Sequence, residues 1–191
     1  MQPNSFAAPA SDTSQAQRFA CDVAVVGGGP AGLMAAEVLA QAGVGVHLFD
    51  SMPSVGRKFL LAGKGGLNLT HSEEHALFAT RFVGREAQVG PLIAAFGAHE
   101  VRDWAKALGV DTFVGTSGRV FPTDMKAAPL LRAWLHRLRD QGVRFHMRHR
   151  WLGWSDDGAQ QFATPAGISL VDARAVVLEL GGASWSRLGS D

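Results

Sequence analysis

The 191-residue chain contains no tyrosine, so no phenol is on hand as an acid or base. A single cysteine, Cys21, excludes an intrachain disulfide and any multi-cysteine metal or iron–sulfur site. Its ordinary role is that of a small buried hydrophobe. A dominant charge is missing too: 18 Lys and Arg face 17 Asp and Glu for a net +1, so no global field argues for nucleic acid or a membrane surface. No window reaches about 18 apolar residues without polar interruption, which removes the pattern of a membrane-spanning helix. Residues 1–20, rich in Ala, Ser, Gln and Pro, lack the basic start and apolar centre of a signal peptide and read as a flexible tail. A soluble, cytoplasmic protein without a metal site is the resulting expectation. Neither Gly-x-Ser-x-Gly nor the Gly-x-x-x-x-Gly-Lys-Ser/Thr phosphate loop occurs.

Glycine, by contrast, is abundant at 23 residues, and it clusters in motifs rather than repeats. The densest cluster lies in residues 22–50. Residues 23–26 form an unbroken apolar run, as expected of a parallel strand covered on both faces. Gly27, Gly29 and Gly32 then give Gly-x-Gly-x-x-Gly, with Pro30 and Ala31 between the last two. That spacing serves a tight turn, a close backbone approach to a pyrophosphate, and tight helix–strand packing. The start of the following helix offers free N–H groups and the positive end of a dipole, where a diphosphate sits without a cationic side chain. Leu33, Ala36, Val38 and Leu39 are candidates for its buried face, and Gly43 for its stop. Asp50 ends the next apolar run 18 residues after Gly32, at the position where an acid accepts hydrogen bonds from ribose hydroxyls. Strand, turn, helix, strand and acid in register imply a dinucleotide site.

Residues 51–70 carry Gly56, Arg57, Lys58, Gly63, Lys64, Gly65 and Gly66 with little periodicity, and predict a long ordered loop. Thr70 and Glu73 fit a capping box, which predicts a helix over 71–82. Helical spacing continues at 91–96 and 99–108, with Gly109 as a stop. Two short strands are expected within 112–121 around Thr116-Ser117-Gly118. An amphipathic helix is expected over 129–141, with Leu131, Trp134, Leu135 and Leu138 on one face. A strand over 143–154, a hairpin of 161–164 and 168–171, and a final buried strand over 175–180 ending in Gly181-Gly182 complete the pattern. The implied architecture is an α/β Rossmann-like domain over 21–191, a parallel sheet with helices plus a three-stranded meander. That continuation favours a flavin-type domain over repeated strand–helix units.

Three blocks then resemble a known group. They are the fingerprint ending at Asp50; Gly56-Arg57-Lys58-Phe59-Leu60-Leu61 through Gly66-Leu67-Asn68-Leu69-Thr70; and Val177-Leu178-Glu179-Leu180-Gly181-Gly182-Ala183-Ser184 through Gly189-Ser190. Gly118-Arg119-Val120-Phe121-Pro122 also matches. Together they resemble the glutathione-reductase-like flavoproteins with two dinucleotide-binding domains. Within that group the chain is similar to the bacterial aminoacetone-oxidase-like and 3-dehydro-bile-acid-reductase-like proteins. The resemblance implies FAD, with its diphosphate at Gly27, Gly29, Pro30, Ala31 and Gly32 and its ribose at Asp50. It implies that Arg57 or Lys58 offsets phosphate charge, that Gly65, Gly66 and Asn68 wrap the cofactor, that backbone near Trp151 faces the adenine, and that Gly181 and Gly182 close the site. It also implies electron transfer through flavin N5 to or from a small-molecule substrate, with NAD(P)H as a candidate electron donor. Where many relatives read Gly-Gly-Gly-Arg-Cys-Asn, this chain has Gly63-Lys64-Gly65-Gly66-Leu67-Asn68, so no role of that arginine or cysteine carries over. Relatives continue well past the block at which this chain stops. The resemblance therefore leaves open a cofactor-binding fragment without turnover, and it assigns no catalytic residue or oligomeric state.

Two sharper patterns compete with plain ones. His71-Ser72-Glu73-Glu74-His75 fits the His-x-x-Glu-His zinc pattern, but the capping box already explains Glu73 and no third ligand is evident, so an ordinary helix start is favoured. Residues 126–151 hold seven Lys or Arg against one Asp, interleaved with Trp134, Phe145 and Trp151. A flavin-dependent RNA-modifying enzyme is thus a second alternative, although a solvated helix face explains the same charges. Asn68-Leu69-Thr70 matches a glycosylation acceptor, without meaning in the absence of secretion.

Overall fold

The computed structural model describes residues 17–182. Strand β1 (Gln17–Val26) leads into helix α1 (Pro30–Gln41) and strand β2 (Val46–Asp50). Helix α2 (Arg57–Ala62), strand β3 (Thr70–His71) and helices α3 (His75–Ala79), α4 (Glu86–Ala95) and α5 (Ala98–Ala107) follow. Strands β4 (Thr112–Val114) and β5 (Arg119–Pro122) precede helix α6 (Ala127–Asp140). Strands β6 (Arg144–Met147), β7 (Arg150–Trp154), β8 (Gln160–Thr164) and β9 (Gly167–Leu178) close the described part.

The main sheet is six-stranded in the order β6-β2-β1-β9-β8-β7, and a smaller one has the order β3-β5-β4. β1 lies at the parallel centre, between β2 and β9, and β2 pairs in parallel with β6. Successive side chains of β1 point to opposite faces. Val23 and Val25 enter a core with Leu33 and Ala36 of α1, Val46 and Leu48 of β2, and Leu131, Trp134 and Leu138 of α6. Ala24 and Val26 enter a second core with Phe49, Phe162 and Val171. Burial on both faces is why this strand reads as a continuous apolar run rather than an alternation.

The meander β7-β8-β9 is antiparallel, and the ring of Phe162 in β8 stacks 4.3 Å from that of Phe49 in β2. The Rossmann-like α/β fold expected from the sequence is therefore present: a mostly parallel sheet, a three-stranded meander and a small antiparallel sheet. No helix of the described residues is long and apolar enough to cross a membrane.

Several elements differ from the sequence reading. β1 begins at Gln17, so residues 17–20 of the expected tail are strand, paired with β9 from Gln17 opposite Ser169 onward. Arg18 fastens that end through Asp157 and Asp172. Residues 1–16 and the Ala183-to-Ser190 end of the third block lie outside the described residues. The two runs expected at 168–171 and 175–180 form one strand, β9, because Asp172, Ala173 and Arg174 contain no breaker and the pairing with β1 runs through Asp172 and Ala173 and resumes at Ala175. The strand expected over 143–154 is instead divided in two. Arg148 adopts φ 59°, and the backbone N–H groups of Arg148 and His149 donate to the carbonyls of Met52 and Asp50.

The loop over 51–70 contains helix α2, whose Phe59 packs into the core beside Trp134. No helix covers 71–82. Thr70 is committed to the ladder opposite Val120 and so cannot cap; the helix there is short and starts at His75. On α1, Val38 is 58% exposed rather than buried, while Glu37 is 2% exposed. The buried stripe runs through Leu33, Ala36 and Glu37 at spacings of three and four.

Glu37 is the unforeseen centre of the helical layer. Its Oε2 accepts hydrogen bonds from the indoles of Trp104 at 3.1 Å and Trp134 at 2.6 Å, and its Oε1 from Arg137 at 2.8 Å and Gln41 at 3.2 Å. A buried carboxylate with all its donors in place fixes α1 against α5 and α6.

Candidate functional site

A cleft of about 640 Å³ opens where β1, β2 and β9 end, above the start of α1. Its floor is the glycine turn. Gly27 has φ 112°, and a Cβ there would collide with the carbonyl of Glu179 at the end of β9. A Cβ on Gly32 would strike the carbonyl of Gly27. These two glycines are thus required by the chain's own packing. Gly29 differs: a Cβ there would meet nothing within 4 Å, at an ordinary backbone conformation of φ −76°. The space it leaves is open, in front of the unpaired N–H groups of the first turn of α1.

Asp50 closes the turn from β2. Its Oδ2 accepts from the N–H of Gly28 and its Oδ1 from that of Met52, both at 2.7 Å. Each carboxylate oxygen retains a further lone pair. The backbone N–H of Gly56 donates to the carbonyl of Gly28 at 2.8 Å, which binds the start of α2 to the glycine turn. Gly56 is left-handed at φ 69°, and a Cβ would press within 2.6 Å of Leu131. This contact places Arg57 and Lys58 on the cleft wall. Lys58 donates to the carbonyl of Gly182 at 3.2 Å, tying α2 to the segment that follows β9. Arg57 has a buried Nε without a hydrogen-bond partner among the described residues. Arg57 shares the cleft lining with the start of α1, and a guanidinium with an unspent donor suits a phosphate oxygen.

Of the residues singled out in the sequence, Gly27, Gly29, Pro30, Ala31, Gly32, Asp50, Arg57, Lys58, Trp151, Gly181 and Gly182 line this one cleft. Gly65, Gly66 and Asn68 do not line it. A Cβ on Gly66 would lie 2.6 Å from Met125 Cε, and the N–H groups of Leu67 and Leu69 donate to the carbonyls of Met125 and Val120. That stretch is therefore fastened to the small sheet instead. Sequence reasoning missed Gly28, Met52, His149 and Glu179, which also line the cleft. Only Gly28 carried a local signal, as the middle member of a three-glycine run.

Where Phe49 and His149 line the cleft, a layer of aromatic rings adjoins it. His146 stacks on Phe49 at 4.5 Å and on His47 at 5.0 Å, and the two imidazoles share a hydrogen bond of 3.0 Å. Burial first, then the neighbouring His47, His149 and Arg144, push His146 down to about 4. Burial, with Arg144 adding to it, lowers His47 as well. The layer is accordingly uncharged at neutral pH.

The competing motifs resolve differently. His71 lies on β3; its Nε2 bonds the carbonyl of Ser117 and its Nδ1 accepts from the N–H of Glu73. Glu73 pairs with Arg81, which holds its carboxyl below the usual range. Among the described residues no group of three or more His, Cys, Asp or Glu is placed to hold a metal ion. Cys21 is half-buried, and burial, followed by Asp22, pushes its thiol up, away from the reactive thiolate. In the basic stretch, Arg137 is spent on Glu37 and Arg139 lies over the ring of Phe145 at 5.3 Å.

Comparison with known proteins agrees with this geometry. The family model described as the HI0933-like protein Rossmann domain matches residues 21–191. Similar solved structures include a 3-ketosteroid-delta4-(5alpha)-dehydrogenase from Rhodococcus jostii RHA1, at 18% identity and a TM-score of 0.64 over 88% of this chain and 47% of that one. The quinol fumarate reductase of Escherichia coli matches at 20% identity and a TM-score of 0.64, over 87% of this chain and 33% of that one. A flavocytochrome c3 fumarate reductase matches at 21% identity and a TM-score of 0.62, over 89% of this chain and 35% of that one. At these identities the likeness is one of fold, and the chain spans less than half the length of each. The chain belongs to the HI0933-like Rossmann domain family, and its Rossmann domain is of the FAD-binding kind.

Proposed function

We propose that this FAD-binding domain serves a flavin-dependent oxidoreductase of a small-molecule substrate, and that the cleft takes the diphosphate and adenosine portion of the cofactor. The observation that carries the reading is that one cleft is lined by Gly29, which leaves open space at the start of α1, by Asp50, and by Arg57, whose Nε has no hydrogen-bond partner among the described residues. The donor set fits the group. The N–H groups at the start of α1 and the Arg57 guanidinium meet the phosphate oxygens. Lys58, next to Arg57 on α2 and fastened to Gly182, adds charge compensation. Asp50 uses its remaining lone pairs on the ribose hydroxyls. When bound, FAD supplies electron-pair transfer at its flavin N5. The protein's share in the described cleft is position and electrostatics.

The block of residues 56–61 and 66–70 supports the finer assignment to the aminoacetone-oxidase-like or 3-dehydro-bile-acid-reductase-like branch, with NAD(P)H or molecular oxygen exchanging electrons with the cofactor. FAD titration followed by visible absorption tests the reading, with NAD(P)H added afterwards without oxygen. Flavin that co-elutes with the protein is expected; a folded chain that leaves all added FAD free contradicts it. Bleaching by NAD(P)H would place the donor on the same protein.

A further inference from the structure

The cleft holds one polar ring that neither the glycine fingerprint nor the Arg57 segment explains. His149 lines it, between the break after β6 and the start of β7. Its backbone N–H donates to the carbonyl of Asp50 at 2.9 Å, so it is hung directly on the residue assigned to the ribose. Its Nδ1 lies 2.9 Å from the carbonyl of Met147. A carbonyl can only accept, so Nδ1 carries the proton, and in the neutral ring Nε2 is left as a bare acceptor. That nitrogen has no hydrogen-bond partner among the described residues. The ring itself is held by packing: it lies 5.4 Å from His146 and 5.9 Å from Phe49 in centroid distance, and 6.3 Å from Phe162. A fixed ring with one tautomer and one unspent lone pair is a directional acceptor.

We infer that His149 is a positioning residue for the cofactor's base, its Nε2 accepting a hydrogen bond from the exocyclic amine of adenine. This rests on the FAD reading above. The ribose already has the acceptors of Asp50, and the diphosphate offers no donor. The remaining donor of the adenosine half is the amine, and His149 stands two residues before Trp151, on the wall where the base is expected. The contact makes the site selective for adenine over a base that presents a carbonyl at the same position, where two lone pairs would face each other.

Calorimetry of the whole chain with ADP and with inosine diphosphate, which replaces that amine by a carbonyl oxygen, tests the assignment. The unaltered protein is expected to prefer ADP by about three- to tenfold. His149→Phe retains a flat ring against Phe49 and Phe162 and should bring the ratio close to one, through weaker ADP binding. His149→Gln, which can still present an oxygen acceptor, should keep most of the preference and guards against a misfolded Phe variant. Equal affinities in the unaltered protein, or an undiminished ratio in His149→Phe, would overturn the role of His149 while leaving the cofactor site standing. Failure of the unaltered, folded chain to bind either FAD or ADP would overturn the cofactor reading and this inference together.

Discussion

At the level of single residues, the three fingerprint glycines have different reasons to be glycine, and substitution separates them. Gly32→Ala forces a methyl into the Gly27 carbonyl and is expected to lower stability by about 2 kcal/mol, visible as a shifted urea midpoint. Gly29→Ala meets only open space, so it should leave that midpoint in place while weakening FAD binding about tenfold or more, because the methyl occupies the diphosphate's position. If Gly29→Ala unfolds the protein or leaves FAD affinity intact, the open space is not the diphosphate's. His146 supports a separate expectation. Its folded-state value, about 4 against an ordinary 6.5, means that the unfolded chain binds the proton first as pH falls. Stability is therefore full above about 6.5 and declines between there and about 4. His146→Phe, stacked on Phe49 and His47 in the same way, should flatten the melting temperature over that window; an unchanged slope would assign the decline to other groups.

Among the elements, the helical layer depends on a buried carboxylate. Glu37→Gln removes the charge facing Arg137 and sets an amide donor among the indole donors of Trp104 and Trp134. A loss of about 2 kcal/mol in chemical unfolding is expected; a stability equal to that of the unaltered chain would show the three helices held by their apolar contacts alone. The same elements show what the sequence could reveal. The fingerprint, α1 and α6 were legible because glycine spacing and helical periodicity are local and agree with the tertiary packing. The capping box at Thr70 was misleading, since the strand opposite Val120, distant in sequence, claims that backbone. The division between β6 and β7 was hidden for a similar reason: Arg148 takes a left-handed turn so that His149 can reach Asp50 across the fold. Glu37 was invisible because a lone acid on a helix reads as a surface residue until its donors from two other helices are in place.

For the whole molecule, the glycine-turn end of the cleft was legible in residues 27–32, Asp50 and residues 57–58, all set by one continuous stretch of chain. His149 and Glu179 were not, because they reach the cleft only through the curl of the sheet and the end of β9. The near-neutral charge and the internal use of Arg137 and Arg139 argue against an extended phosphate-binding face, and no salt-dependent RNA binding is expected at low ionic strength. The most direct measurement is a calorimetric comparison of FAD, ADP and FMN on the whole chain. FAD and ADP should bind competitively at one site, and FMN, which lacks the second phosphate and the adenosine, should bind far more weakly. FMN binding as tight as that of FAD, or a folded chain to which neither FAD nor ADP binds, would contradict the assignment of this cleft to the diphosphate and adenosine of FAD.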